Sequence, residues 1–106
     1  MESTDVCMLL DFYGQLLTGR MRSLLELHYA EDMSLAEIAI QEDISRQAVS
    51  DTVRRGVRSL EEYESKLGLV SRFMAQKKDV REAIEALERN DTKKAHDVLS
   101  DLMNTL

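Results

Sequence analysis

The sequence has no proline and no tryptophan, one cysteine, four glycines and, with three tyrosines and two phenylalanines, few aromatic side chains in 106 residues. No stretch alternates β-branched with polar residues, and strong helix formers fill the positions between the few breakers. An all-β or doubly wound fold is thereby excluded. No apolar run approaches the roughly 20 residues that span a bilayer, so no membrane partner is expected. The acidic start MESTDVC lacks the basic opening of a signal peptide. The single Cys7 has no intrachain partner and fits a reducing compartment, which predicts a cytoplasmic protein. Cys7 stands among Val6, Met8, Leu9 and Leu10, a setting that predicts a buried, inert thiol.

What is present is charge, unevenly spread. The formal net charge is −6, from 14 basic and 20 acidic side chains. Residues 1–44 carry two basic and nine acidic groups, residues 45–60 four arginines and one aspartate, and residues 61–106 eight basic and ten acidic groups. A +3 segment inside a −9 body suggests a polyanion-reading stripe on an otherwise repelling surface. The alternative is a solvated helix face locally rich in arginine.

Apolar spacing predicts five or six helices. Val6, Leu9, Leu10, Tyr13, Leu16 and Leu17 keep helical spacing behind a cap at Thr4 or Asp5, and Thr18-Gly19 interrupts them. A second segment over roughly 19–30 presents Met21, Leu24, Leu25, Leu27 and Tyr29. Ser34-Leu35-Ala36-Glu37 has the form of a capping box and opens a short helix ending near Glu42. Ser45 caps a longer one. Along it Val49, Val53, Val57, Leu60, Tyr63 and Leu67 form one apolar stripe, and Gly68 closes it. Leu69, Val70, Phe73, Val80, Ile84 and Leu87 mark a further helix, with a bend expected near 75–79 where Lys77 breaks the stripe. Asp91 caps the last, with Ala95, Val98, Leu99, Leu102, Met103 and Leu106 as its apolar face. The fold class is all-α. Residues 1–67 form the helix-turn-helix domain, with its motif at 34–60, and residues 68–106 a C-terminal helical extension for packing or dimerisation.

The order of a capped short helix, a tight link and a capped long helix is that of a helix-turn-helix. Ala39 supplies the small residue where the helices cross, and Ile38, Ile44, Val49 and Val53 supply anchors. Asp43 stands in the link where glycine is usual, tolerating the left-handed region through its short polar side chain. At 100° per residue from Val49, the apolar stripe spans roughly −40° to +80°, and Gly56 falls within it. Gln47, Arg54 and Arg58 lie at about 140–180°, flanked by Ser50 and Arg55.

The candidate DNA-binding residues are Ser45, Arg46, Gln47, Ser50, Arg54, Arg55 and Arg58. Gln47 and Ser50 occupy the early turns that reach base edges in the major groove of double-stranded DNA, and the later arginines are placed for phosphates. About four neutralised phosphates predict a slope near −3.6 in log affinity against log salt.

Over Leu17–Leu60 the chain resembles region 4 of bacterial sigma factors, through Arg20, Leu24-Leu25, Leu27, Tyr29, SLAEIA, ISRQAV, Arg55, Val57 and Leu60. Over roughly residues 7–75 it is still more similar to the YlxM family of small bacterial helix-turn-helix proteins. The shared features are Phe12-Tyr13, Leu16-Leu17-Thr18, the block Leu27 to Asp32, SLAEIA, SRQAVSD and the run Leu60 to Leu67. The resemblance implies a DNA-binding protein, encoded as a rule beside genes of the signal recognition particle, with a regulatory role in that pathway. It also suggests signal recognition particle protein or RNA as alternative partners. The apolar faces of 60–89 and 92–106 exceed what three short helices cover, which points to a homodimer through the C-terminal helices.

Neither His28 nor His96 has a partner at metal-ligand spacing, and one cysteine makes no zinc site, so no metal or cofactor is expected. The paired acids Glu31-Asp32 and Glu61-Glu62 suit a solvated face better than general acid–base work, and the chain is not expected to be an enzyme.

Overall fold

The computed structural model describes residues 3–106. Among these the helices are α1 (Ser3–Tyr13), α2 (Gly19–Leu25), α3 (Leu35–Glu42), α4 (Arg46–Leu67), α5 (Leu69–Glu88) and α6 (Thr92–Thr105), and there is no strand. A 3₁₀ turn over Gly14–Leu16 follows α1, and a π-helical turn over Glu26–Ala30 follows α2. The protein is all-α. It divides into two compact units, one reaching to Val70 and one formed by Ser71–Leu106.

The starts of α2, α3, α4 and α6 are written in hydroxyl and carboxylate side chains. The oxygens of Thr18, Ser34, Ser45 and Asp91 accept from the backbone N–H three residues on, at 3.0–3.2 Å. Each satisfies an amide that the helix leaves without a partner. α1 starts ahead of the expected cap, with Asp5 already in its first turn. It ends at Tyr13, four residues short of the periodic pattern, because the chain tightens into the 3₁₀ turn at Gly14.

At α3 the capping box is complete. Glu37 N–H donates to Ser34 Oγ at 3.0 Å, and Ser34 N–H donates to Glu37 Oε1 at 3.1 Å. These bonds to the Ser34 backbone and hydroxyl hold the Glu37 carboxyl below the usual value of 4.5. A depressed pKa stabilises the fold above the unfolded value, and that contribution disappears as pH falls through the folded one. A carboxyl-carbon NMR titration will therefore place Glu37 below that usual value, and acid will loosen the first turn of α3. Titration of Glu37 at 4.5 would contradict the box.

Among the described residues, four helix ends and links use the left-handed region: Asp32 (φ 57°), Asp43 (φ 54°), Gly68 (φ 62°) and Asn90 (φ 62°). After α3 the Ile44 N–H donates to Ala39 O at 3.1 Å and Asp43 N–H to Ile40 O at 3.4 Å. That six-to-one closure carries the apolar Ile44 back toward Ala39. Asn90 repeats it after α5, where Asp91 N–H donates to Ala86 O at 2.8 Å.

In the first unit Val6, Leu9, Leu10 and Tyr13 from α1 meet Leu24 and Leu25 from α2, Ile38 and Ala39 from α3, and Val49, Val53 and Leu60 from α4. Gly56 lies on this buried face. A Cβ there would stand 2.7 Å from Leu25 Cδ1 and 3.0 Å from Met21 Cγ, so α2 and α4 approach as closely as they do because the position has no side chain. Leu67, at the end of the expected stripe, is exposed.

The junction of α4 and α5 is held by two side chains from distant positions. Tyr13 Oη donates to Glu64 Oε1 at 2.6 Å and accepts from Leu69 N–H at 3.0 Å, while Glu64 Oε1 also accepts from Val70 N–H at 3.0 Å. The first two amides of α5 are thus satisfied without a local cap. Burial, followed by the Glu64 carboxylate, raises the Tyr13 phenol above its ordinary value of 10.

The second unit departs from expectation. α5 runs without a break in its helical hydrogen bonding from Leu69 to Glu88, and the Lys77 ammonium lies 5.9 Å from the centre of the Phe73 ring. Its buried residues are Ala83 and Ala86, packed with Ala95 and Val98 of α6. The larger side chains of the expected stripe, Phe73, Val80, Ile84 and Leu87, are exposed, as are Leu99, Met103 and Leu106.

Candidate nucleic-acid interface

α3, the Asp43-Ile44-Ser45 link and α4 form a helix-turn-helix, and its geometry decides which side of α4 is free. Val49, Val53, Gly56 and Leu60 are buried, which turns the opposite side outward. Gln47, Arg54, Arg55 and Arg58 are exposed there, Ser45 and Arg46 are exposed at the N-terminal end of α4, and Ser50 is half-buried at the flank. Ser45 already uses its hydroxyl: Oγ accepts from Ala48 N–H at 3.0 Å, a capping role whatever else it touches.

The polar face has an organiser that sequence reasoning counted as charge but left out of the site. Gln47 Nε2 donates to Asp51 Oδ1 at 3.0 Å, and the Arg54 guanidinium donates to the same oxygen. Its signal was spacing: Asp51 is four residues after Gln47 and three before Arg54, the separations at which helical side chains meet. Asp51, Arg54, Arg55 and Arg58 line one shallow open groove. Arg54 and Arg58 also border a second hollow, with Tyr29, Val53, Val57 and Glu61. Arg46, Arg55 and Arg58 make no ion pair among the described residues, so three guanidinium charges stay available to an anion.

The surrounding acids are not equivalent. Glu61 and Glu62 are exposed just beyond the arginines. Glu64, which the sequence groups with them, is committed to Tyr13 and Val70. Glu42 pairs with Arg20 at 3.1 Å, which ties α2 to the C-terminal turn of α3 and offsets a carboxylate at the unfavourable end of the helix dipole.

The other singled-out residues have structural contacts. His28 Nδ1 lies 2.8 Å from Met33 O; a carbonyl only accepts, so this nitrogen carries a proton and clamps the link into α3. Cys7 is half-buried rather than enclosed, and its thiol donates to Tyr29 O at 3.6 Å. No helix of the described residues is long and apolar enough to cross a membrane.

Comparison with known proteins agrees with this arrangement. Residues 1–101 match the family UPF0122, described as "Putative helix-turn-helix protein, YlxM / p13 like". A UPF0122 protein of Desulforamulus reducens is 47% identical over 87 residues, covering 82% of this chain and 74% of the relative. One from Symbiobacterium thermophilum is 43% identical over 97 residues, covering 92% and 91%. One from Halalkalibacterium halodurans is 40% identical over 98 residues, covering 92% and 90%. With a helix-turn-helix in place and relatives this similar along most of its length, the chain belongs to the UPF0122 family of YlxM/p13-like helix-turn-helix proteins.

Proposed function

We propose that this protein is a cytoplasmic, non-catalytic regulator that reads double-stranded DNA through the major groove. The observation that carries the reading is the single exposed stripe of Gln47, Arg54 and Arg58 on α4, opposite its buried face and just past the capped turn. A helix about 10–12 Å across with its side chains matches a groove about 12 Å wide. Gln47 and Ser50 meet base edges, and Arg54, Arg55 and Arg58, with Arg46 at the entry, meet phosphates. The test is selection of bound duplexes from sheared genomic DNA by the purified protein. Enrichment of one motif is expected, and a bound pool indistinguishable from the input would overturn the reading.

A second reading, an interaction module for signal recognition particle protein or RNA, draws support from Glu61 and Glu62 exposed beside the arginines and from the net charge of −6. Repulsion by such acids weakens phosphate binding most at low salt, where screening is poor. Capture of those components at moderate salt, with no enriched DNA motif, would favour it.

The extension acts in dimerisation in this proposal. Ser71–Leu106 forms a hairpin whose buried contacts centre on three alanines, below the size at which a chain holds its own core. Val80, Ile84 and Leu87 are 42%, 51% and 51% exposed at spacings of four and three, with Met103 on α6 69% exposed. That pattern suits a second copy packed helix on helix, and two recognition helices would then meet half-sites about 34 Å apart. Light scattering is expected to give twice the chain mass for wild type and the single-chain mass for Ile84→Glu with Leu87→Glu. A wild-type monomer at tens of micromolar would refute the dimer.

A further inference from the structure

We infer that Asp51 is a specificity-determining residue of α4, accepting a hydrogen bond from the exocyclic amino group of cytosine in the major groove. The inference rests on the duplex-reading function proposed above and names what that face selects. Around the helix, Gln47, Asp51, Arg54 and Arg58 recur at steps of four, three and four, so Asp51 stands within the stripe rather than beside it. A duplex seated on Gln47 and Arg58 therefore meets a carboxylate between them.

Stability does not explain that carboxylate. Its side chain is 47% exposed and that of Arg54 66%, and so solvated a pair three residues apart on a helix adds little to stability. On a surface for phosphates the group is unfavourable, because it repels the backbone and draws off part of the Arg54 charge. Its position becomes favourable only where a donor faces it.

Chemistry selects the donor. A carboxylate only accepts, which excludes guanine N7 and O6 and thymine O4. Adenine N6 is a donor, but adenine N7 flanks it on one side and thymine O4 on the other, and both repel a carboxylate. Cytosine N4 has an acceptor on the guanine side only, and its C5–H side is open. The geometry leaves the means to reach it. Oδ1 holds Gln47 Nε2 and the Arg54 guanidinium, and no hydrogen bond among the described residues occupies Oδ2. The same contacts fix the Gln47 and Arg54 side chains before DNA arrives, which lowers the entropy lost on binding.

The experiment compares full-length wild type, Asp51→Asn and Asp51→Ala in selection from a randomised duplex library, with affinity for one non-specific duplex measured beside it. Circular dichroism melts check that all three are folded, as expected for changes at an exposed helical position. Wild type is expected to enrich a motif with one C·G step at which other bases bind about 10-fold more weakly. Asp51→Asn should shift that step toward adenine, whose N6 and N7 suit an amide, and Asp51→Ala should erase the preference there. Both should bind the non-specific duplex several-fold more tightly, having lost a repelling charge. Unchanged motifs overturn the assignment while leaving duplex reading intact, and so does tighter binding without altered preference, which reduces Asp51 to a charge. No motif for wild type or either variant overturns both.

Discussion

Replacing Arg54 and Arg58 together by alanine will weaken binding to duplex DNA of any sequence by about 60-fold at 0.1 M salt. Each neutralised phosphate contributes about 0.9 to the slope of log affinity against log salt, so two lost contacts remove about 1.8 decades at that concentration. The slope itself should fall from near −3.6 to near −1.8. The single variants are not expected to be equal. Arg54 shares its charge with the Asp51 carboxylate, whereas Arg58 pairs with no acid among the described residues, so Arg58→Ala should lose more than Arg54→Ala. Changing both to lysine keeps the charge and should preserve the slope. Fluorescence anisotropy of a labelled duplex across a salt series measures all of these. An unchanged slope in the double alanine variant would remove phosphate contact from the role of this face.

The second large effect concerns stability. Gly56→Val is expected to destabilise the fold by about 1–3 kcal/mol, although valine is intrinsically the better helix former by a few tenths of a kcal/mol. Even the first added carbon falls 2.7 Å from Leu25 Cδ1, and Leu25 is fully buried, so its side chain can move aside only by displacing core neighbours. Two further methyl groups then force α2 away from α4, and the buried contacts of Leu24, Leu25 and Val53 loosen together. Gly19→Ala is the control. A Cβ there meets nothing within 4 Å, so that change should leave stability unaltered or raise it slightly. Urea melts of the two variants against wild type decide the matter. A Gly56→Val protein as stable as wild type would show that the α2–α4 approach is not set by this glycine.

The legible parts of this chain share a physical character: they are local. Ser34 with Glu37, Ser45 and Asp91 announce helix starts because each oxygen bonds an amide only three residues away. Asp43 was readable as a left-handed link because its side chain is short and polar, and it adopts φ 54°. The outward face of α4 followed from the period of Val49, Val53 and Leu60, which also placed Gly56 on the inside. Asp51 was within reach of the same spacing rule. A lone acid in a basic helix reads as dilution of charge, whereas the bonds of Asp51 make it the hub of the face.

What sequence by itself determined is the helix inventory, the turn between α3 and α4 and the composition of the exposed stripe, since propensity, capping and periodicity act over a few residues. Tertiary structure alone decided that Tyr13 and Glu64, 51 residues apart, together cap α5. It also decided that Ala83, Ala86 and Ala95 are buried while Val80, Ile84 and Leu87 stay outside. An amphipathic pattern states how much apolar surface must be covered, but which neighbour covers it depends on how closely two backbones approach. Small side chains permit the closest approach, so α5 and α6 meet largely through alanines, and of their bulkier residues Leu102 is buried while Val80, Ile84, Leu87, Leu99 and Met103 remain exposed.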